Sequence, residues 1–212
     1  MIEAKIRLSA NEMELVTNAG WILTKNGILE KAKWMLEDLQ QQMVDHLVPQ
    51  HNFLPKTILE GTPKISKGEN YKGLPYLVLD YPRIFHKENT FAIRTMFWWG
   101  NFFSTTLHLA GHYKEQSETK LFSSLDLLKN NNFYLCTNED AWEHHFEASN
   151  YIPVTGLTNT EFSNRIEEKP FLKIAKKVGL HLWNDAEETL FSNFKLLMGM
   201  MASNFPGDEK AP

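Results

Sequence analysis

Four of the eight histidines are spaced so that their imidazoles could converge on one metal ion. His108 and His112 are four residues apart, a spacing that places both rings on the same side of a helix. His144 and His145 are adjacent, so on a strand only one of them could join that pair. Together with a nearby glutamate they define a candidate site for a metal-dependent enzyme. Polar or half-buried histidines with ordinary hydrogen-bond partners are the alternative interpretation.

A second candidate site combines small hydroxyl side chains with a histidine on two β-prone segments. Its residues are Thr95, Ser104, Thr106 and His108. A few convergent polar groups among large aromatic side chains are typical of a small-ligand pocket. Cross-strand pairing of threonines on a partly open sheet face would give the same pattern. Both interpretations stay open at the level of the sequence.

Arg94 lies inside the most hydrophobic stretch of the chain, residues 91–109. Because a lone buried guanidinium is costly, we expect a carboxylate or a ligand anion beside it. Asp80 is the nearest plausible partner along the chain. The pair could be structural, or Arg94 and Asp80 could belong to a ligand-binding site.

Residues 64–73 combine three lysines and two glycines and superficially resemble a phosphate-binding loop. The P-loop motif requires Lys-Ser/Thr after its last glycine, whereas Gly73 is followed by Leu74 and Pro75. This excludes a P-loop. A solvated basic loop, or one that contacts phosphate or an acidic partner, remains.

Motifs of nucleophilic, zinc-protease and dinucleotide-binding sites are absent from the sequence. Cys136 is the only cysteine, which excludes an internal disulfide and a cysteine-based zinc site, and its apolar neighbours favour a place in the core. Met198, Met200 and Met201 indicate either core packing or the surface of a homodimer. Catalytic residues and cofactors therefore stay unknown.

A predicted β-hairpin must position the second candidate site. Residues 91–99 and 102–109 flank Gly100-Asn101, which suits a two-residue turn. Such a turn pairs Trp99 with Phe102 and Thr95 with Thr106. It thereby puts the hydroxyl side chains and His108 on one face of the sheet, and Arg94 on the other.

The remaining elements place helices before and after this sheet. Helical spacing or a capping box predicts helices near residues 9–20, 28–47, 117–128, 158–168, 171–179 and 184–201. Short strands are expected at 64–67, 76–79 (ending before Pro82), 133–136 and 141–154. The sequence therefore predicts an α+β fold with a mostly antiparallel sheet of about four to six strands. We expect one domain over residues 1–204 and a disordered tail over 205–212.

Composition limits the classes of partner. The chain has 212 residues, 42% of them hydrophobic, and a formal net charge of −4. This balance is typical of a globular protein and gives no global attraction to nucleic acid or to an anionic membrane. The N-terminal residues lack the features of a signal peptide and no segment resembles a membrane span, so a soluble cytoplasmic protein is expected.

The run from Gly68 to Tyr76, Gly-Glu-Asn-Tyr-Lys-Gly-Leu-Pro-Tyr, precedes strands, a helix, a strand and C-terminal helices. In this fragment and in element order the chain resembles the uncharacterised bacterial YktB-like family. The resemblance implies leading helices paired with a mostly antiparallel sheet. It brings no activity and no catalytic residues.

The leading hypothesis is a protein of unknown function that binds a small ligand on a covered sheet face near the central hairpin. The alternatives are the metal-dependent enzyme and a structural or regulatory module that self-associates through the methionine-rich last helix.

Overall fold

A seven-stranded antiparallel sheet with helices packed on one face forms the structure, a computed structural model that describes residues 6–50 and 55–201. The strands are β1 (Lys64–Tyr71), β2 (Leu74–Phe85), β3 (Thr90–Trp98), β4 (Phe102–Ala110), β5 (Tyr134–Cys136), β6 (Tyr151–Pro153) and β7 (Phe171–Gly179). The helices are α1 (Ala10–Thr17), α2 (Ala19–Leu47), α3 (Lys56–Leu59), α4 (His112–Ser123), α5 (Leu125–Asn130), α6 (Asn159–Glu167) and α7 (Ala186–Met201). The order of the strands in the sheet is β1-β2-β3-β4-β7-β5-β6. The predicted α+β class is confirmed, with more strands than expected; the predicted tail, residues 205–212, lies outside the described residues.

Residues 171–179 form the central strand β7, not the predicted helix. β7 lies between β4 and β5, and both of its faces are covered. Apolar side chains therefore occur on both faces, and their spacing also matches the helical period. The alternation of Leu172, Ile174 and Val178 with lysines is the strand signal that the prediction missed.

Several other boundaries differ from the prediction; α2 begins at Ala19 instead of near residue 28, and β1 extends to Tyr71 instead of Lys67. β2 continues through Pro82. The proline lies in a β-bulge, where the lack of a backbone N–H does not interrupt the hydrogen bonds between the strands. α4 begins at His112, directly after β4, instead of at Ser117. Of residues 141–154, only Tyr151–Pro153 is a strand.

The β3–β4 turn has three residues, Trp99 to Asn101, instead of the predicted two. Trp98 pairs with Phe102, and consequently Thr95 pairs with Thr105 and Arg94 with Thr106. The predicted register is wrong by one residue. The observed register matches apolar to apolar side chains, because Phe97 faces Phe103 and Ile93 faces Leu107, whereas the predicted one would have paired Ile93 with His108.

The helices cover the face of the sheet that carries Ile93, Phe97 and Leu107, and form the main core with it. α2 contributes a buried stripe, and α7 contributes another that includes the predicted inward residues from Ala186 to Met201. Met198, Met200 and Met201 are at most 3% exposed. The last helix therefore does not offer these methionines as the surface of a self-associating module. None of the helices within the described residues is long and apolar enough to cross a membrane.

The opposite face of the sheet is covered by residues 137–150, the connection between β5 and β6, here called the covering segment. It contains no helix and no strand. Its side chains Trp142, His144 and Phe146 pack over β2, β3, β4 and β5. A small second core of Cys136, Tyr151, Phe171 and Ala175 lies beneath it, so the predicted core position of Cys136 is confirmed.

Gly111, at the junction of β4 and α4, adopts φ +59°, a conformation that side chains rarely allow. An added Cβ would also collide with the Asn89 side chain and the Glu88 carbonyl. We therefore expect Gly111→Ala to lower the free energy of unfolding by about 2 kcal/mol in urea denaturation. Gly199→Ala is the control: it lies in α7 with no atom within 4 Å of its added Cβ, and should stabilise slightly. Equal effects of the two variants would contradict this account.

Candidate functional site

Five polar side chains converge between the sheet and the covering segment: Asp80, Arg94, His108, His144 and Lys173. We call them the polar centre. The sheet supplies four of them, because Asp80, Arg94, His108 and Lys173 lie on successive strands β2, β3, β4 and β7 and point to the same face. The covering segment supplies the fifth, His144.

Asp80 and Arg94 form a paired ion bridge at the middle of the polar centre. They are directly opposed on β2 and β3, and Arg94 Nε and Nη2 donate to the two Asp80 carboxylate oxygens at 2.7 and 2.9 Å. Arg94 Nη1 lies 3.2 Å from Nε2 of His144. A guanidinium has five N–H donors, so two of them remain for another acceptor.

The β-bulge in β2 determines which aromatic ring flanks this pair. Between Asp80 and Arg83, β2 has one residue more than β3. Because of this extra residue, Phe85 points to the same face of the sheet as Asp80 and Arg94; without it, Phe85 would point towards the helices. The Phe85 ring lies 5.9 Å and the Trp142 ring 5.5 Å from the guanidinium carbon of Arg94. Both distances are within the range of cation–π attraction.

Lys173 places an ammonium group in the same interior. The residue is 1% exposed, and its Nζ donates to the backbone carbonyl of Glu143 in the covering segment at 2.5 Å. Its Nζ also lies 5.4 Å from the centre of the Tyr151 ring. Burial, helped by the nearby Arg94 charge, lowers the pKa of Lys173 to about 8.

The two histidines of the polar centre are neutral at physiological pH. Burial, followed by the charges of Lys173 and Arg94, lowers the pKa of His108 to about 3. The same causes hold the pKa of His144 well below its ordinary value. Asp80 is the one carboxylate among these five side chains, so two cations face one anion within the set; Asp140 and Glu143 of the covering segment also act on Lys173 and favour its charged form. The polar centre therefore carries a net positive charge at neutral pH.

A small cavity and a large cleft meet at this point. The cavity among the polar centre side chains has a volume of about 10 Å³, room for about one water molecule. The cleft outside has a volume of about 820 Å³ and runs between residues 85–88, the start of α4 and Phe171. Phe85, His108, Ala141 and Trp142 line both spaces. These residues therefore form the wall between the cleft and the polar centre.

Tyr71, at the end of β1, holds the covering segment in place. Its hydroxyl accepts from the backbone N–H groups of His144 and His145 at 2.7 and 3.0 Å, and donates to the Glu143 carboxylate at 2.8 Å. Burial is the main cause that raises the pKa of Tyr71 to about 12, so the phenol keeps its proton. Trp142, two residues from this anchor, is 54% exposed. The anchored part and the exposed part of the segment are therefore adjacent.

Most of the residues singled out for ligand binding lie on this face. Asp80, Arg94, Thr106 and His108 are close together, and all but Asp80 line the small cavity. Ser104 lies on the same face but nearer the turn and does not line it. Thr95 is an exception: it points to the helical face, and its buried hydroxyl has no hydrogen-bond partner among the described residues.

The four histidines considered for a metal site are not brought together. His108 and His144 line the same cavity, but His112 is exposed at the start of α4. His145 points towards Glu143, with its Nε2 3.3 Å from that carboxylate, while its Nδ1 accepts from the Glu147 backbone N–H. Across residues 6–50 and 55–201, no three histidine, cysteine or carboxylate side chains are placed to hold a metal ion. His112 is separated from the set by the early start of α4, and His145 by its adjacency to His144, which points to the cavity.

Lys173, Trp142 and Phe85 were not identified from the sequence as site residues. Lys173 was assigned to a helix, so its face could not be inferred. Its register opposite His108 follows only once residues 171–179 are recognised as a strand. Trp142 and Phe85 depend on the path of an irregular segment and on a bulge, for which the sequence offers no simple periodic signal.

Comparison with protein-family models, with curated proteins and with solved structures finds no match to this chain.

Proposed function

We propose that the protein binds a small organic anion, a carboxylate with a flat apolar part, in the cleft that ends at the polar centre. The observation that carries the proposal is the net positive charge of Arg94 and Lys173 at the closed inner end of an aromatic cleft. A buried charge without a counter-charge is unfavourable, so a ligand anion would relieve it.

The donors of the polar centre support a carboxylate ligand. Arg94 retains two N–H groups beyond those used by Asp80 and His144. Among residues 6–50 and 55–201, Lys173 donates to one backbone carbonyl, whereas an ammonium has three donors. Charge-assisted hydrogen bonds of this kind are roughly twice as strong as neutral ones.

The walls of the cleft support an apolar, planar ligand body. Phe85, Trp142 and Phe171 line it together with His108, whose ring is edge-on to Phe171 and Trp142 at 5.8 Å from each. The rim carries both signs of charge, from Lys87, Glu88 and Glu115. Apolar walls with a few placed polar groups, within about 300–1,000 Å³, are typical of small-ligand sites.

Access to the polar centre requires Trp142 to move. Because the inner cavity holds about one water molecule, a carboxylate cannot enter while the wall is closed. Trp142 lies on a segment without regular secondary structure and already exposes half of its surface. Its displacement would join the inner cavity to the cleft and leave the anchor at Tyr71 intact.

Calorimetric titration with benzoate tests the proposal, with benzamide as the neutral analogue. We expect benzoate to bind and benzamide not to bind. Lys173→Met should weaken benzoate binding by at least about tenfold, because it removes one charged donor. Lys177→Met is the matched control, since Lys177 lies on the same strand and face but is exposed, and should bind benzoate as the unmodified protein does.

The pH dependence of the titration provides a second readout. Since the pKa of Lys173 is about 8, raising the pH from 7 to 9 removes its charge, and benzoate affinity should fall. The Lys173→Met variant should lack this dependence. Equal binding of benzoate and benzamide, or unchanged affinity in Lys173→Met, would mean that the polar centre is not an anion site.

A further inference from the structure

The N-terminal part of the chain forms an arm that stands away from the core. We define the arm as residues 6–24, all of which are exposed. It contains α1, which buries none of its residues, and the first turn and a half of α2. Isolated helices as short as the eight residues of α1 are marginal in water, since most helical stability in proteins comes from packing of an apolar face.

The arm is built as ordered structure. Ser9 and Glu12 form a reciprocal capping box at the start of α1. Asn18 then ends α1 and caps α2, accepting from the Trp21 backbone N–H at 3.2 Å. These caps fix the elbow between the two helices, so the side chains on either side of it are held in a defined relation.

The apolar stripe by which α2 packs on the core continues into the arm. Leu29, Leu36 and Met43 are buried and follow one another at intervals of seven residues. Ile22 is the preceding member of this series, yet it is 41% exposed. Residues seven apart lie on nearly the same side of a helix, so Ile22 faces the direction of the core at a level where the body of the protein no longer extends.

A groove at the elbow collects this exposed apolar surface. Leu15, Val16, Trp21 and Ile22 line it, and its volume is about 550 Å³. Eight large apolar side chains of the arm are between 41% and 76% exposed: Ile6, Leu8, Met13, Leu15, Val16, Trp21, Ile22 and Leu23. At roughly 150 Å² for each fully exposed side chain, they present about 700 Å² of apolar surface. This is the total for the arm and not one contiguous patch, since consecutive residues such as Trp21, Ile22 and Leu23 point about 100° apart around α2.

We propose that the arms of two copies of this chain pack against each other, so that the protein is a homodimer joined at Leu15, Val16, Trp21 and Ile22. Each partner buries roughly 800 Å² in an interface of standard size, so the apolar side chains of the arm could supply most of it if the two arms wrap around each other at the elbow. A two-fold axis is the commonest symmetry of homo-oligomers and lets each groove receive the arm of the other copy.

The charges of the arm favour its own copy over a membrane. Residues 6–24 contain Arg7 against Glu12 and Glu14, so the arm has a formal charge of −1, while Lys25, just beyond it, pairs with Glu69 on β1. Helices that bind anionic lipid surfaces carry lysines and arginines along their polar face, and the arm has no such cluster. With one formal charge on each arm, the repulsion between two copies is small, because salt screens exposed charges.

Sedimentation velocity of the full chain at micromolar concentration tests the dimer. We expect the unmodified protein to sediment as a dimer and the double variant Val16→Asp, Ile22→Asp to sediment as a monomer. The dissociation constant should rise by at least about 100-fold, because central apolar residues dominate interface energetics. Leu127→Asp is the control, since Leu127 is an exposed leucine outside the arm, and should leave the dimer intact.

The variant should keep its fold, because the arm contributes nothing to the core. Circular dichroism and thermal unfolding check this, and the benzoate titration should be unchanged in both variants. A monomeric unmodified protein would overturn the proposal, as would a double variant that remains dimeric. Flotation of a monomeric chain with phosphatidylcholine vesicles would assign the arm to a lipid surface instead.

Discussion

Acidification from pH 7 to pH 4 is expected to remove about 3 kcal/mol of the free energy of unfolding through His108 alone. Its pKa is about 3 in the folded protein and near 6.5 in the unfolded chain. Between these values the unfolded state binds a proton that the folded state does not, so stability falls as the pH falls. His144, whose pKa is also lowered, acts in the same direction.

Urea denaturation at several pH values measures this loss, and His108→Phe isolates it. Phenylalanine is close in shape to the imidazole and suits neighbours such as Phe85, Trp142 and Phe171. Between pH 7 and pH 4, the free energy of unfolding should fall by about 3 kcal/mol less in the variant than in the unmodified protein. His112→Phe is the matched control, because it makes the same exchange at an exposed histidine outside the polar centre. Parallel curves for the unmodified protein and His108→Phe would contradict a neutral buried His108.

Asp80→Ala is expected to lower the free energy of unfolding by about 3–5 kcal/mol at pH 7. The Asp80 and Arg94 side chains are only 9% and 18% exposed, and the substitution leaves the guanidinium buried without its counter-charge. For comparison, Glu37→Ala breaks the pair with Lys33, whose side chains are 45–47% exposed, and should cost under about 1 kcal/mol.

The double variant Asp80→Leu, Arg94→Met distinguishes the cost of an orphaned charge from the contribution of the pair. Replacing both partners of a buried pair by apolar residues is often neutral or stabilising, so the double variant should recover most of the loss measured for Asp80→Ala. It should also lose benzoate binding. A double variant as unstable as Asp80→Ala would mean that packing, rather than charge, accounts for the loss.

The sequence predicted the elements whose signals are local. The capping boxes at Ser9 and Thr158 are present as expected, because each depends on side chains three residues apart. The last helix was predicted with its buried stripe, because one face of α7 packs on the core and the other faces solvent, which gives a helical spacing of apolar residues. The α+β class followed from the order of such elements.

The sequence identifies several residues of the candidate site, but it predicts the wrong register for the hairpin that carries them. Arg94 and His108 were expected on opposite faces, because Gly100-Asn101 suits a two-residue turn. The three-residue turn brings them to the same face, since burial of apolar side chains outweighed the local turn preference. The Asp80–Arg94 contact was expected from the cost of a lone buried charge, which does not depend on the register, and it is present.

The features that the sequence did not reveal depend on distant parts of the chain. Lys173 is a site residue because β7 inserts between β4 and β5, a pairing that residues 171–179 do not encode by themselves. Residues 137–150 have no periodic pattern, since their path follows the surface that they cover. Neither feature could be inferred without the assembled sheet.

The anchor at Tyr71 has a consequence for how the molecule opens. The covering segment leaves from β5 and β6 at one border of the sheet, while Tyr71 belongs to β1 at the other border. The covering segment therefore connects the two edges of the sheet across the strands between them. If β1 unfolds locally, the hydrogen bonds of Tyr71 to the covering segment are lost. Local unfolding of β1 should therefore be accompanied by exposure of Arg94 and Lys173 in the polar centre.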